Sequence, residues 1–93
     1  MGTNIENDKF YTLISETSKS THKNYIGFYK DENNAKKALS ELYNELKKPN
    51  VYTTDPIVKI DKRYINAPTI NAMIVYYKDY KVLYYISERY FSD

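Results

Sequence analysis

Two neighbouring segments near the C-terminal end carry apolar side chains on both sides of a predicted β-hairpin, and this pattern constrains the fold most. Residues 70–78 and 81–87 are rich in β-branched and aromatic residues, which favours two strands joined by a two-residue turn at Asp79 and Tyr80. One side then carries Met73, Val75, Tyr77, Val82, Tyr84 and Ile86, and the other carries Ala72, Ile74, Tyr76, Leu83 and Tyr85. A sheet with one wet side would alternate apolar and polar residues, so both sides of this hairpin need a cover.

A single amphipathic helix of about four turns is predicted upstream of the hairpin. Its apolar stripe has the spacing of three and four residues that places side chains on one helix face: Ala35, Ala38, Leu39, Leu42 and Leu46. Asp31 or Asn33 can cap the start, because a side-chain oxygen there accepts a hydrogen bond from an unpaired backbone N–H group. Pro49 ends the pattern.

Three further strands complete the predicted fold. Residues 9–16 and 24–30 favour a hairpin with a long, mobile tip, and Gly27 within it indicates a bulge or a close backbone approach. Residues 57–61 favour a short strand. The order β-β-α-β-β-β predicts an α+β fold, in which one helix packs on one face of an antiparallel sheet of about five strands. We expect one domain over residues 1–93, with residues 1–8 flexible.

The composition argues against enzymatic chemistry. The chain has no cysteine, one histidine and two glycines, so it lacks the residues for thiolate metal sites, a cysteine nucleophile or a glycine-rich phosphate loop. His22 lies in a polar segment with no residue pattern of a catalytic triad or zinc site around it. The carboxylate pairs, Asp31 with Glu32 and Glu41 with Glu45, are typical of helix capping and solvated helix surfaces. We therefore expect a protein without catalytic residues, bound metal or cofactor.

The second apolar side of the hairpin is the predicted functional surface. One helix covers one face of a small sheet, which leaves the other face to the rest of the chain, to a second copy of the protein or to a partner. Tyrosine, of which the chain has twelve, suits such a surface because its ring is apolar and its hydroxyl tolerates water. The predicted protein interface has an apolar centre of Ile74, Tyr76, Leu83 and Tyr85, with Lys78 and Lys81 at its rim.

Binding of single-stranded nucleic acid is the alternative interpretation. Sheet tyrosines between lysines can stack unpaired bases, and the predicted contacts near the third strand are Lys59, Lys62, Arg63 and Tyr64. A net charge of +2 and the presence of only two arginines count against it.

The abundance of Lys, Asn, Ile and Tyr is typical of A/T-rich genomes, such as those of many phages, large DNA viruses and low-GC bacteria. The run from Gly27 to Asp31, followed by Ala35, Ala38 and Leu39, resembles segments of many small phage and viral proteins over about a quarter of the chain. We therefore expect a non-enzymatic accessory protein that occludes or scaffolds a host or viral protein, or assembles with itself. Its expected location is the host cytoplasm or the virion, without a membrane segment.

Overall fold

The computed structural model describes residues 9–48, 56–63 and 71–90 of the chain. These ranges contain, in chain order, β1 (Lys9–Thr17), β2 (Lys23–Tyr29), α1 (Glu32–Lys47), β3 (Ile57–Arg63), β4 (Ala72–Tyr77) and β5 (Lys81–Tyr90). The α+β class and the order β-β-α-β-β-β are confirmed. Residues 1–8, which we expected to be flexible, lie outside the described residues.

The five strands form one antiparallel sheet in the spatial order β2-β1-β5-β4-β3. Its centre joins the two ends of the described chain, because β1 pairs with β5 along its whole length, from Lys9 opposite Tyr90 to Thr17 opposite Val82. Two local hairpins, β1–β2 and β4–β5, flank this long-range pairing. The strands at the two edges of the sheet are β2 and β3.

Helix α1 packs on one face of the sheet through the predicted stripe. Ala35 and Leu39 are buried, and Leu39 meets Leu13 of β1 and Met73 of β4 at the centre of the core. Around them pack partly buried residues of the helix and the sheet: Ala38, Leu42, Tyr43, Leu46, Tyr29, Ile60, Tyr84 and Ile86. Tyr43 joins the stripe although the spacing pattern did not single it out.

The ends of α1 agree with the capping prediction. The Asp31 carboxylate accepts hydrogen bonds from the backbone N–H of Asn34, at 2.8 Å, and from the Asn34 side-chain amide, at 3.1 Å. Asp31 is therefore the N-cap, and Asn33 lies inside the helix. The helix ends at Lys47, and the Lys48 N–H donates to the Glu45 carbonyl at 3.2 Å. Pro49 lies outside the described residues.

The β4–β5 hairpin has both predicted apolar sides, but its turn is one residue earlier than predicted. Tyr77 N–H donates to the Tyr80 carbonyl at 2.8 Å, so Lys78 and Asp79 form the two-residue turn. The rings of Tyr77 and Tyr80 stack with centroids 4.6 Å apart, and the two charged residues occupy the tip. Moving the turn by one residue changes every pairing by two positions, so each side chain keeps its predicted face.

The tip between β1 and β2, which we expected to be long and mobile, contacts the start of β5 through Ser18. Ser18 exchanges two hydrogen bonds with Lys81, in which Ser18 N–H donates to the Lys81 carbonyl at 2.9 Å and Lys81 N–H donates to Ser18 Oγ at 3.0 Å. Lys19 Nζ lies 4.1 Å from the centre of the Tyr80 ring. The sequence could not indicate this contact because its two halves are more than 60 residues apart in the chain.

Each edge strand contains a bulge. In β2, Leu13 faces Gly27 and Ile14 faces Tyr25, which leaves Ile26 as the extra residue. A Cβ atom on Gly27 would lie 2.8 Å from Cζ of the Tyr29 ring, so the predicted bulge is confirmed, whereas the close approach at this glycine is made by a side chain and not by backbone. In β3 the extra residue is Val58, between Ile57 opposite Tyr77 and Lys59 opposite Tyr76.

Candidate functional site

The candidate site is the sheet face turned away from α1, which we call the open face. It comprises the even-numbered residues of β1 and β4, the odd-numbered residues of β5 and of β3 after Val58, and Lys23, Tyr25 and Phe28 of β2. The bounds and register of the strands fix these positions, because successive side chains along a strand point to opposite faces.

Five of the six predicted interface residues lie together on the open face. Ile74 pairs with Leu83, Tyr76 pairs with Lys81, and Tyr85 lies opposite Ala72. The four apolar members, Ile74, Tyr76, Leu83 and Tyr85, are half-buried, whereas Lys81 is exposed. Lys78 is exposed in the turn beyond the last strand pair.

The Tyr85 hydroxyl already has a partner within the chain. It donates a hydrogen bond of 2.6 Å to Glu16 Oε2 on the neighbouring strand β1. The pKa of Tyr85 is raised to about 12. Desolvation of the hydroxyl is the larger cause, and the hydrogen bond to the carboxylate is the second. The ring of Tyr85 is thereby held in one orientation on the open face.

The most exposed apolar side chains of this face come from β2, which the sequence did not identify as functional. Tyr25 is 47% exposed and Phe28 is 66% exposed. Their rings stack with centroids 6.3 Å apart, Phe10 lies 6.0 Å from Phe28, and the Arg89 guanidinium lies 6.0 Å from the Tyr25 ring. Tyr25 and Phe28 share a face only because the bulge at Ile26 inserts one residue between them.

Beneath these rings the open face has a buried floor. Thr12 lies opposite Phe28 and Ile14 lies opposite Tyr25, and both are 1% exposed. Ala72 of β4 is buried as well. Thr12 Oγ1 is buried without a hydrogen-bond partner among the described residues. The open face is thus a layer of half-exposed aromatic and aliphatic side chains over a closed base.

Cations outnumber carboxylates on the open face. It carries Glu16 and Asp61 against five cationic residues: Lys23, Lys59, Arg63, Lys81 and Arg89. Asp61 Oδ2 lies 3.6 Å from both Lys59 Nζ and Arg63 Nη2, and Glu16 accepts the Tyr85 hydrogen bond. Lys59 Nζ also lies 5.1 Å from the centre of the Tyr76 ring.

The residues predicted to contact nucleic acid are divided between the two faces of the sheet. Lys59 and Arg63 lie on the open face, opposite Tyr76 and Ala72. Lys62 lies opposite Met73 on the helix side, with its Nζ 4.0 Å from the centre of the Tyr43 ring. Tyr64 lies outside the described residues.

The residues considered for catalysis are dispersed on the surface. His22 is exposed in the β1–β2 connection, where its backbone N–H donates to Ser20 Oγ at 3.1 Å. Glu32 lies 3.9 Å from Lys36, and Glu45 lies 3.0 Å from Lys48, both along the helix surface. Within residues 9–48, 56–63 and 71–90, no three His, Asp or Glu side chains converge as metal ligands would.

Comparison of the chain with models of protein families, with curated proteins and with solved structures found no match in any of the three. Among the described residues, no helix has both the length and the apolar character needed to cross a membrane.

Proposed function

We propose that the protein is a non-enzymatic binding module, of the accessory kind found in phages and viruses, that docks another protein chain on its open face. Binding would occlude or scaffold the partner, and a second copy of the chain is one such partner. The proposal places Ile74, Leu83 and Tyr85 at the centre of the contact, with Lys78 and Lys81 at its rim.

The observation that carries the proposal is the exposed aromatic surface on the face that α1 does not cover. Taking an aromatic side chain as about 200 Å², Tyr25 and Phe28 together leave about 230 Å² in water. Burying that area against a partner would contribute about 6 kcal/mol before the costs of association. This is enough for a few residues to dominate the binding energy, as at most protein interfaces.

The internal hydrogen bond of Tyr85 supports the same proposal. A ring that is already fixed by its bond to Glu16 loses little side-chain entropy on binding, which is one cost of forming an interface. The hydroxyl is also satisfied without the partner, so the free protein pays no desolvation penalty there. The open face is therefore preorganised at its centre.

A direct test uses one partner protein, recovered from cells that encode the chain and then purified. Calorimetry compares the affinity of this partner for the wild-type chain with its affinity for variants of the open face. We expect Leu83→Ser combined with Tyr85→Ser to weaken binding at least a hundredfold. Because that pair also affects folding, Phe28→Ser serves as the second variant, and we expect a loss of at least tenfold. Val58→Ser is the matched control, since Val58 is 67% exposed but lies in β3 at the far edge. Equal losses for Phe28→Ser and Val58→Ser would refute the proposal.

Binding of single-stranded nucleic acid is a second candidate because cations lie against aromatic rings on the open face. Lys59 flanks Tyr76 and Arg89 flanks Tyr25, an arrangement that suits base stacking at about 1–3 kcal/mol per base together with phosphate contacts. The placement of Lys62 on the helix side removes one of the cations that this function would use.

Salt dependence separates the two functions. Phosphate contacts release counterions, so affinity for a single strand falls steeply as salt rises, whereas an apolar protein interface responds little. Anisotropy of a labelled twenty-nucleotide dT strand at 0.05 and 0.2 M NaCl provides the measurement. Saturable binding that weakens at least tenfold would favour the nucleic-acid function over protein docking.

A further inference from the structure

The two edges of the sheet are protected to different degrees. Edge strand β3 has four charged residues among seven, which is a common protection against unwanted strand pairing. Edge strand β2 has six consecutive uncharged residues, 24–29. It also supplies three of the five large hydrophobic residues that are exposed in the described ranges: Tyr25, Ile26 and Phe28.

Beside the outer edge of β2 runs a groove that separates this strand from α1. Its volume is about 450 Å³, and it is lined by Phe28, Tyr29, Lys30, Asn34, Lys37, Ala38 and Glu41. No strand of the described chain pairs with this edge. Backbone N–H and C=O groups on the outer side of an edge strand are available to pair with an added strand.

We propose that the outer edge of β2 binds an extended peptide strand of a partner protein in which apolar and acidic residues alternate. Side chains of an added strand point alternately to the two faces of the sheet. One row would lie beside Phe28 on the open face, which favours apolar residues. The other row would enter the groove rimmed by Lys30 and Lys37, which favours carboxylates.

The charges around β2 support this peptide over a second copy of the chain. Lys23, Lys30 and Lys37 form no ion pair with the described residues, and Glu41 is the single carboxylate among the groove residues described. If two copies paired β2 against β2 with residues 24–29 overlapping fully, Lys23 of each copy would lie opposite Lys30 of the other. Like charges directly opposite on paired strands are destabilising.

The geometry of the edge favours a short added strand. Strand addition gains much of its affinity from main-chain hydrogen bonds and needs less side-chain area. The bulge at Ile26 interrupts the ladder, so the added strand pairs with Gly27, Phe28 and Tyr29, next to the groove.

The inference rests on the proposed function only in treating the chain as a protein-binding module, and its test is independent of the partner. The probe is a fluorescein-labelled ten-residue peptide in which valine and glutamate alternate, titrated in 0.15 M NaCl and followed by anisotropy. We expect saturable binding, with amide chemical-shift changes concentrated at Gly27, Phe28 and Tyr29. We expect Phe28→Ser to weaken it at least tenfold and the matched Val58→Ser to leave it within twofold.

A charge exchange tests the acidic row. Lys30→Glu combined with Lys37→Glu should weaken the valine–glutamate peptide at least tenfold and create binding of a valine–lysine peptide of the same pattern. Lys78→Glu, in the β4–β5 turn, is the control and should do neither. If the double variant still binds the valine–glutamate peptide with wild-type affinity, the peptide carboxylates do not lie beside Lys30 and Lys37, and that part of the inference is overturned.

Four other results would overturn the inference. The first two are the absence of saturable binding and equal binding of a peptide with five valines followed by five glutamates. The last two are displacement of the peptide by a dT strand and a doubled mass in sedimentation with the same amides shifted. The last two would assign the edge to nucleic acid or to a second copy. Lys81→Glu, an exposed position at the rim of the open face and away from β2, should leave peptide binding unchanged, so failure of the peptide leaves the proposed function to its own test.

Discussion

Removing the Tyr85 hydroxyl tests whether the open face is preorganised by its hydrogen bond to Glu16. Tyr85→Phe deletes a 2.6 Å bond to a carboxylate and leaves Glu16 without that donor. Hydrogen bonds to charged groups contribute about 1.5–3 kcal/mol, and because Tyr85 is only half-buried we expect the lower end, about 1.5 kcal/mol. For a chain of this size, that corresponds to a fall in Tm of about 6–12 °C.

Urea denaturation of a double-mutant cycle measures the bond itself. Tyr85→Phe and Glu16→Ala, alone and together, should give a coupling free energy of about 1 kcal/mol, because each single change removes the hydrogen bond. Tyr90→Phe is the matched control, because Tyr90 donates a 3.1 Å hydrogen bond to Glu88 at the exposed end of β5. We expect that control to change stability by less than about 0.5 kcal/mol. A coupling below about 0.3 kcal/mol for the Tyr85 pair would refute the argument.

The same pair predicts a pH dependence. The folded state raises the pKa of Tyr85 from 10.0 to about 12, so folding favours the protonated hydroxyl. Its contribution is fully present below pH 10 and is lost as the pH rises through about 12. The stability difference between the wild type and Tyr85→Phe should therefore be constant up to pH 9.5 and smaller at pH 11. A difference that grows over this interval would contradict the sign of the shift.

Three further substitutions test the fold around the site. Thr12→Val removes a buried hydroxyl that has no partner among the described residues, so it should raise the free energy of unfolding by about 1 kcal/mol in urea denaturation. A lower free energy of unfolding would show that the hydroxyl forms a hydrogen bond. Asp31→Ala removes the N-cap of α1 and should cost about 1 kcal/mol with reduced helical circular dichroism, whereas Asn33→Ala, inside the helix, should cost less than half as much. Gly27→Val places a side chain against the Tyr29 ring and should lower the free energy of unfolding by about 1–3 kcal/mol in thermal denaturation. Tyr29→Ala in the same chain should reduce this loss. An unchanged Tm for Gly27→Val alone would contradict the close approach of the Tyr29 ring to Gly27.

Much of the fold follows from short-range patterns in the sequence. The helix stripe around Leu39 and the two hairpins depend on spacings of two, three and four residues, which the chain displays directly. The pairing of β1 with β5 has no such signal because it joins the two ends of the described chain. The turn at Lys78 and Asp79 lacks the Asn-Gly or Asp-Gly pair that marks most two-residue hairpin loops, so its position was predicted one residue late.

The candidate site was predictable only in part, because two bulges decide which residues share a face. The regular β4–β5 hairpin allowed Ile74, Leu83 and Tyr85 to be grouped correctly on one side. In β2, the extra residue Ile26 brings Tyr25 and Phe28 together, although simple alternation separates residues three apart. Gly27 signalled an irregularity there, but not which neighbouring side chains it would bring together.

Site-specific photo-crosslinking in cells that encode the chain tests the central claim most directly. A photoreactive phenylalanine analogue replaces Phe28 on the open face in one version and exposed Ser40 on α1 in another. We expect a discrete protein adduct from position 28 that is absent from position 40. Excess wild-type chain should suppress this adduct, and excess Phe28→Ser chain should not. Adducts of equal yield from both positions, or suppression by both competitors, would contradict docking on the open face.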